Sequence, residues 1–251
     1  MSIAAQESLA AAQESLARRG YVVYPGLYGE EFVQAARAGI LSLHEALGRP
    51  SLCQEGWNQQ AVEGSGITSS GLQMGSVLAD FAPTVVENFL HPEVRDLFRS
   101  CLGEDFEVDV IGGCLSDESR ARKPWHHHCG GPDEERRDPD FTPVGRPAQR
   151  LNLLVYLDDV GPGQGQLLVH SRREEDAIEQ HGDVREDWPG QQVLSWTAGT
   201  AVILDERTWH AVWRQEKPGL RMFVGGYFRD ARLPPPQNAD PRAAAMAPAM
   251  R

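Results

Sequence analysis

The apolar residues change their spacing partway along the chain, from a helical period to a strand period. Glu30 to Leu47 carries Phe32, Ala35, Ile40, Leu43 and Leu47 on one stripe, which predicts an amphipathic helix. Thr84 to Leu90 and Pro92 to Leu102 predict two short helices. Near the N-terminus, Ala4 to Ala10 is repeated residue for residue at Ala11 to Ala17. Two heptads with one leucine each are too few for a coiled coil, so residues 1–19 are read as a helical extension with no chemistry of its own. Residues 50–80 are rich in Gly, Ser and Gln, surround Trp57, and follow no period; they are read as a loop.

From Phe106 onward the pattern alternates. Phe106 to Ile111, Leu151 to Leu157, Gln166 to Val169, Gln192 to Trp196, Thr200 to Leu204, Trp209 to Trp213 and Arg221 to Phe228 all predict strands. Turns at Asp158 to Gly165, at Gly199 and at Lys217-Pro218-Gly219 separate them. Helices followed by many short strands predict a mainly β domain with flanking helices, in a sandwich or jelly roll. That domain spans 20–231, and the Pro- and Ala-rich segment 232–251 is read as a flexible tail.

Composition narrows the partners. The chain has 251 residues, 41% of them hydrophobic, as expected for one substantial globular domain. Its formal charge of −12 argues against nucleic acid, which requires clustered cations. No apolar run reaches membrane-spanning length and no signal peptide is evident. The four cysteines form no CxxC pair, so a reduced, cytoplasmic protein is expected. Nothing in the sequence speaks to oligomeric state.

The densest chemistry is Trp125-His126-His127-His128-Cys129, which holds three of the eight histidines. On a strand, His126 and His128 point to one face and His127 to the other. In a register shifted by one residue, His127 and Cys129 would share a face instead. A histidine triplet also fits a surface run, or a chance cluster with one ring in the core. Read as a metal site, it needs a distant third ligand, and His210 is the candidate. Arg221 follows His210 by eleven residues, across a turn. Neighbouring strands lie about 4.8 Å apart, so Arg221 is placed to pair with a carboxylate beside the metal. Trp125, Trp209 and Trp213 flank the ligands and are candidate pocket walls. Arg150 and Asn152, at a strand start, are candidates for touching co-substrate or substrate. His170 is a candidate for a group beside the site, with exposure as the alternative.

These pieces resemble the phytanoyl-CoA dioxygenase family of Fe(II)- and 2-oxoglutarate-dependent oxygenases. The resemblance runs from Leu16 to Phe228. It is carried by Gly20-Tyr21-Val22-Val23-Tyr24-Pro25-Gly26, Pro124-Trp125-His126-His127-His128, Leu153 to Val160, Gly165 to Val169, Gly199 to His210, and Arg221. It implies a double-stranded β-helix (jelly roll, cupin-like). It also implies an iron held by His126 and His210, with 2-oxoglutarate anchored by Arg221 and dioxygen as co-reactant.

Where the family has aspartate, this chain has His128. Imidazole also suits Fe(II), so His128 is the expected third ligand, at the loss of one negative charge. Asp133 in the next loop is a less supported substitute. Two smaller departures are His170-Ser171-Arg172-Arg173 and Trp213-Arg214-Gln215. The expected activity is oxidation of a small molecule by hydroxylation, desaturation or cyclisation. The alternatives are a catalytically degenerate member that binds a ligand or supports a partner, and a three-histidine dioxygenase that uses no keto acid.

Overall fold

The computed structural model describes residues 3–128, 149–236 and 239–250. Cys129, Asp133 and most of the residues between 130 and 150 therefore lie outside the described residues.

Helix α1 (Ile3–Arg19) leads into strand β1 (Tyr21–Tyr24), and α2 (Glu30–Ala46) covers the predicted amphipathic stripe. The repeated heptads do form a helix, and it is part of the core: Ala12, Ser15 and Leu16 are buried, with the Ser15 hydroxyl donating to the Tyr21 carbonyl. The loop expected over 50–80 is overturned. That stretch forms β2 (Asn58–Gln59), β3 (Ser65–Thr68), β4 (Gly71–Met74) and α3 (Leu78–Phe81). These strands are too short to show a period, and ladder pairing to their neighbours sets their shape. Then come α4 (Pro83–Glu87) and α5 (Pro92–Leu102), the latter with proline at its first turn and His91 accepting from the Glu93 N–H.

The strand-period region forms β5 (Glu107–Ser116), β6 (Lys123–His126), β7 (Arg150–Tyr156), β8 (Leu167–Val169), β9 (Gln192–Leu194), β10 (Ala201–Asp205), β11 (His210–Val212) and β12 (Arg221–Arg229). Every strand predicted there is present. They assemble into two antiparallel sheets. The larger has the order β1-β10-β7-β12-β5-β4-β3-β2, and the smaller β6-β11-β8-β9.

Strand alternation gives the larger sheet two faces. Ile111, Leu115, Leu151, Leu153, Val155, Met222, Val224 and Phe228 pack against Ile40, Leu43, Phe89, Leu97 and Phe98 of the helical layer. Each such side chain contributes about 1.5–3 kcal/mol by leaving water. The other face carries Tyr156, Val202 and Leu204 onto Leu167, Val169 and Val212 of the smaller sheet. A third cluster, with Trp125, Leu168, Trp188, Trp209 and Ala211, covers the far side of the smaller sheet.

The tight turn into β10 depends on Gly199. Its φ is +81°, and a Cβ there would lie 2.1 Å from the Tyr28 carbonyl oxygen.

The expectation of a flexible tail over 232–251 is not met at its end. Helix α6 (Pro241–Met250) packs on β5, and Ala243 is fully buried. The Asp240 N–H donates to the Asp109 carbonyl, and an Asp240 carboxylate oxygen accepts from the Ser76 N–H. Alanine has high helix propensity, so the composition suits a docked helix once a surface receives it. No helix among the described residues is long and apolar enough to cross a membrane.

Candidate metal centre

β6 and β11 run antiparallel, with His126 and His210 as direct partners. Cross-strand partners share a face, so both imidazoles project into the space between the sheets. His128 lies just past the end of β6. Its position is held by its own N–H, which donates to the Glu206 carbonyl at 2.8 Å. The three rings converge. Centroids are 4.2 Å apart for His126 and His210, 5.0 Å for His128 and His210, and 5.2 Å for His126 and His128. One ring nitrogen from each lies within 4.8 Å of the others, and the His128 and His210 Nε2 atoms are 3.3 Å apart.

The supporting hydrogen bonds orient the rings for a cation. His126 Nδ1 lies 2.8 Å from the Pro124 carbonyl and His210 Nδ1 lies 2.9 Å from the Thr208 carbonyl. A carbonyl only accepts, so each Nδ1 carries the proton and each Nε2 keeps its lone pair. Burial, then the neighbouring His210, pushes the His126 imidazole well below its ordinary pKa. It is therefore neutral, as a metal ligand must be. The His210 Nε2 lone pair faces His128 Nε2 at 3.3 Å, a separation that a proton on His128 Nε2 or a shared metal ion would bridge. The donor set thus fits a divalent transition metal of the kind imidazole prefers.

His127 points the other way, edge-on to Trp209 with centroids 4.5 Å apart, as alternation predicts. The same alternation corrects the expectation for the tryptophans. Trp125 and Trp209 occupy the far face of their strands, and Trp125 stacks on Trp188 at 4.6 Å. Trp213 packs beside them and donates its indole N–H to Asp187. They wall the outside of the smaller sheet instead of the space that holds the three histidines. Arg150 is likewise committed elsewhere. It is buried, donates to Asp109 and to the Pro234 carbonyl, and shares Asp109 with Arg229. His170 stacks on His181 at 4.0 Å, outside the triad.

On the larger sheet, the face towards the triad carries Arg221, Phe223, Gly225 and Tyr227 of β12, opposite Ser116, Cys114 and Gly112 of β5 and Tyr156, Leu154 and Asn152 of β7. Tyr227 sits edge-on to His128, with centroids 5.2 Å apart. Asn152 pairs with Tyr227 and is buried, and its Oδ1 has no hydrogen-bond partner among the described residues. Arg221 is 4% exposed. Its guanidinium lies over the Tyr156 and Phe223 rings, at 5.1 and 5.7 Å, and no carboxylate of the described residues is within ion-pair distance. Tyr227, Tyr156 and Arg120 are not singled out by the sequence. The tyrosines lie in strands whose facing only the sheet pairing reveals, and Arg120 lies in a turn with no period.

No family model matches the sequence, and no curated protein matches it. Solved structures do. AviO1 from Streptomyces viridochromogenes Tue57 aligns over 90% of this chain and 97% of its own, at 19% identity and a TM-score of 0.63. The chain shares its fold with this structure and with two that are solved with, or named for, 2-oxoglutarate. SnoK, a non-heme alpha ketoglutarate dependent carbocyclase from nogalamycin biosynthesis, aligns over 88% of this chain and 83% of its own at 21% identity and a TM-score of 0.62. HygX from Streptomyces hygroscopicus, solved with nickel and 2-oxoglutarate bound, aligns over 90% of this chain and 88% of its own at 14% identity and a TM-score of 0.64.

Proposed function

We propose that this protein is an Fe(II)- and 2-oxoglutarate-dependent oxygenase acting on a small molecule, on a double-stranded β-helix. His126, His128 and His210 hold the metal and Arg221 anchors the far carboxylate of 2-oxoglutarate. The observation that carries this reading is the pairing of three converging imidazoles with a buried arginine that lacks a carboxylate partner among the described residues, on facing sheets. A guanidinium buried without a counter-charge is costly unless an anion meets it, and a keto acid that chelates a metal supplies that anion.

Iron with 2-oxoglutarate and dioxygen supplies an oxidant able to break a C–H bond, releasing succinate and carbon dioxide. The chain's own contribution is positional. The Pro124 and Thr208 carbonyls hold two imidazoles in the ligating tautomer, and the Glu206 carbonyl holds the His128 backbone. Asn152, with an open Oδ1 on the same interior face, is proposed to contact co-substrate or substrate. SnoK, SnoN and HygX motivate a small-molecule substrate in specialised metabolism; SnoN has been solved with Fe3+, alpha ketoglutarate and nogalamycin RO.

With three neutral imidazoles the centre keeps the full charge of a divalent ion, one unit more than with an aspartate ligand. That weakens retention of the metal and strengthens attraction for a dianion. The same substitution favours the second reading, a degenerate site that binds a ligand without turnover. A three-histidine dioxygenase that uses no keto acid leaves the buried Arg221 unexplained. Anaerobic mixing with Fe(II) and 2-oxoglutarate should give a visible metal-to-ligand charge-transfer band, and oxygen should then yield succinate. Absence of both, with candidate substrates present, would sink the oxygenase reading. A His128→Asp variant that gains activity supports the degenerate site, and one that loses it makes His128 a true ligand.

A further inference from the structure

Arg120 is as deeply placed as Arg221, at 2% exposure, in the turn between β5 and β6. Its position follows from the sheet. Ser116, the last residue of β5, is the cross-strand partner of Arg221. The Arg120 N–H then closes a turn onto the Asp117 carbonyl. Arg120 Nη2 donates to the Trp213 carbonyl at 2.6 Å, while its Nε has no acceptor among the described residues. The Arg221 Nε also has none. No carboxylate of the described residues lies within ion-pair distance of either guanidinium.

The two charges share their surroundings. Tyr156 and Cys114 both feel the positive charge of both arginines. Burial, and next the Arg221 charge, pull the Arg120 guanidinium down to about 10. Gly165 makes the room: its φ is +72°, and a Cβ there would lie 2.2 Å from Arg120 Nη2. Two like charges buried together without a counter-ion are unfavourable in every respect unless an anion is to be held.

We propose that Arg120 is a second anion-holding residue, so that the far carboxylate of the keto-acid co-substrate is bound between two guanidiniums, Arg120 and Arg221. A carboxylate offers two oxygens and about four acceptor sites, enough for donors from both arginines at once. This inference rests on the oxygenase reading and adds to it a selectivity device for dicarboxylic keto acids. Gly165 and the Trp213 carbonyl are its positioning elements.

The test uses Ni(II)-loaded full-length protein and two ligands, 2-oxoglutarate and 2-oxopentanoate. The second keeps the chelating head and chain length but has a methyl group where the far carboxylate stands. Calorimetric titration of Arg120→Gln should show 2-oxoglutarate binding weakened about tenfold to a hundredfold, the range for a charge-assisted hydrogen bond. Binding of 2-oxopentanoate should be unchanged, and Arg120→Lys should recover part of the loss. Gly165→Ala displaces the guanidinium without removing it and should give the same selective loss. Unchanged 2-oxoglutarate binding in Arg120→Gln would overturn the proposal. So would equal weakening of both ligands, which marks a purely structural role. If the wild-type protein binds neither keto acid, the oxygenase reading fails and the proposal falls with it. If it binds both equally, a distal clamp is absent even though the metal head is intact.

Discussion

His210 and His126 are direct antiparallel partners on neighbouring strands, with ring centroids 4.2 Å apart. The pairing of β6 with β11 therefore builds the candidate metal centre from residues far apart in the chain, and the two rings meet only when the smaller sheet has formed. His128 joins from outside the strand and is held through its backbone. The first prediction follows from that difference. His210→Ala should lower Ni(II) or Fe(II) affinity by more than about a hundredfold, beyond the effect of losing a supporting residue. His128→Asp should raise it, because the new carboxylate adds negative charge at the ion. Equilibrium dialysis with metal analysis checks both, and tighter binding in His210→Ala would remove His210 from the ligand set.

Asp109 is buried between Arg150 and Arg229, with N–O distances of 2.9 and 2.8 Å. Removing one partner of a buried ion pair leaves charge uncompensated. Asp109→Ala is expected to lose about 3–5 kcal/mol of stability in urea unfolding. Ni(II) affinity of the folded fraction should stay the same, since the network serves the sheet end and the C-terminal segment. A loss under about 1 kcal/mol would show that the arginines find other acceptors.

Ala243 is fully buried in α6 against the core. Ala243→Asp places an unpaired carboxylate there and should cost about 2–4 kcal/mol. If that variant unfolds at the wild-type denaturant concentration, the docking of α6 contributes nothing to the fold.

His170 stacks on His181 and touches Trp188 at the surface of the smaller sheet. Burial, then the His181 charge, lowers its pKa. A histidine depressed in the folded state binds fewer protons than in the unfolded chain. Its contribution is therefore neutral above about pH 6.5 and turns destabilising as pH falls below that value. The melting temperature should drop more steeply between about pH 7 and 5 in the wild-type protein than in His170→Gln. Parallel curves for the two would remove this pair from the acid response.

Most strands from β5 to β12, the helices α2 and α5, and the shared facing of His126 and His210 are legible in the amino-acid sequence. Alternation and helical stripes are local properties, written in a few consecutive residues. The same logic places His127 away from His126. Sequence adjacency misplaces Trp125 and Trp209, since being next to a ligand in a strand means facing the other way. The short strands β2 to β4 and the docked α6 are not legible there, because their shape comes from partners distant in sequence.

By itself the sequence determined where the imidazole donors cluster and that strands were available to gather them. Tertiary structure decided the rest. Sheet register put His126 opposite His210 and Ser116 opposite Arg221, a backbone hydrogen bond brought in His128, and the turn that follows Ser116 buried Arg120. The physical reason is one of range. Side-chain facing is set by neighbours along the chain, whereas convergence on a common point is set by which strands pair and in what register.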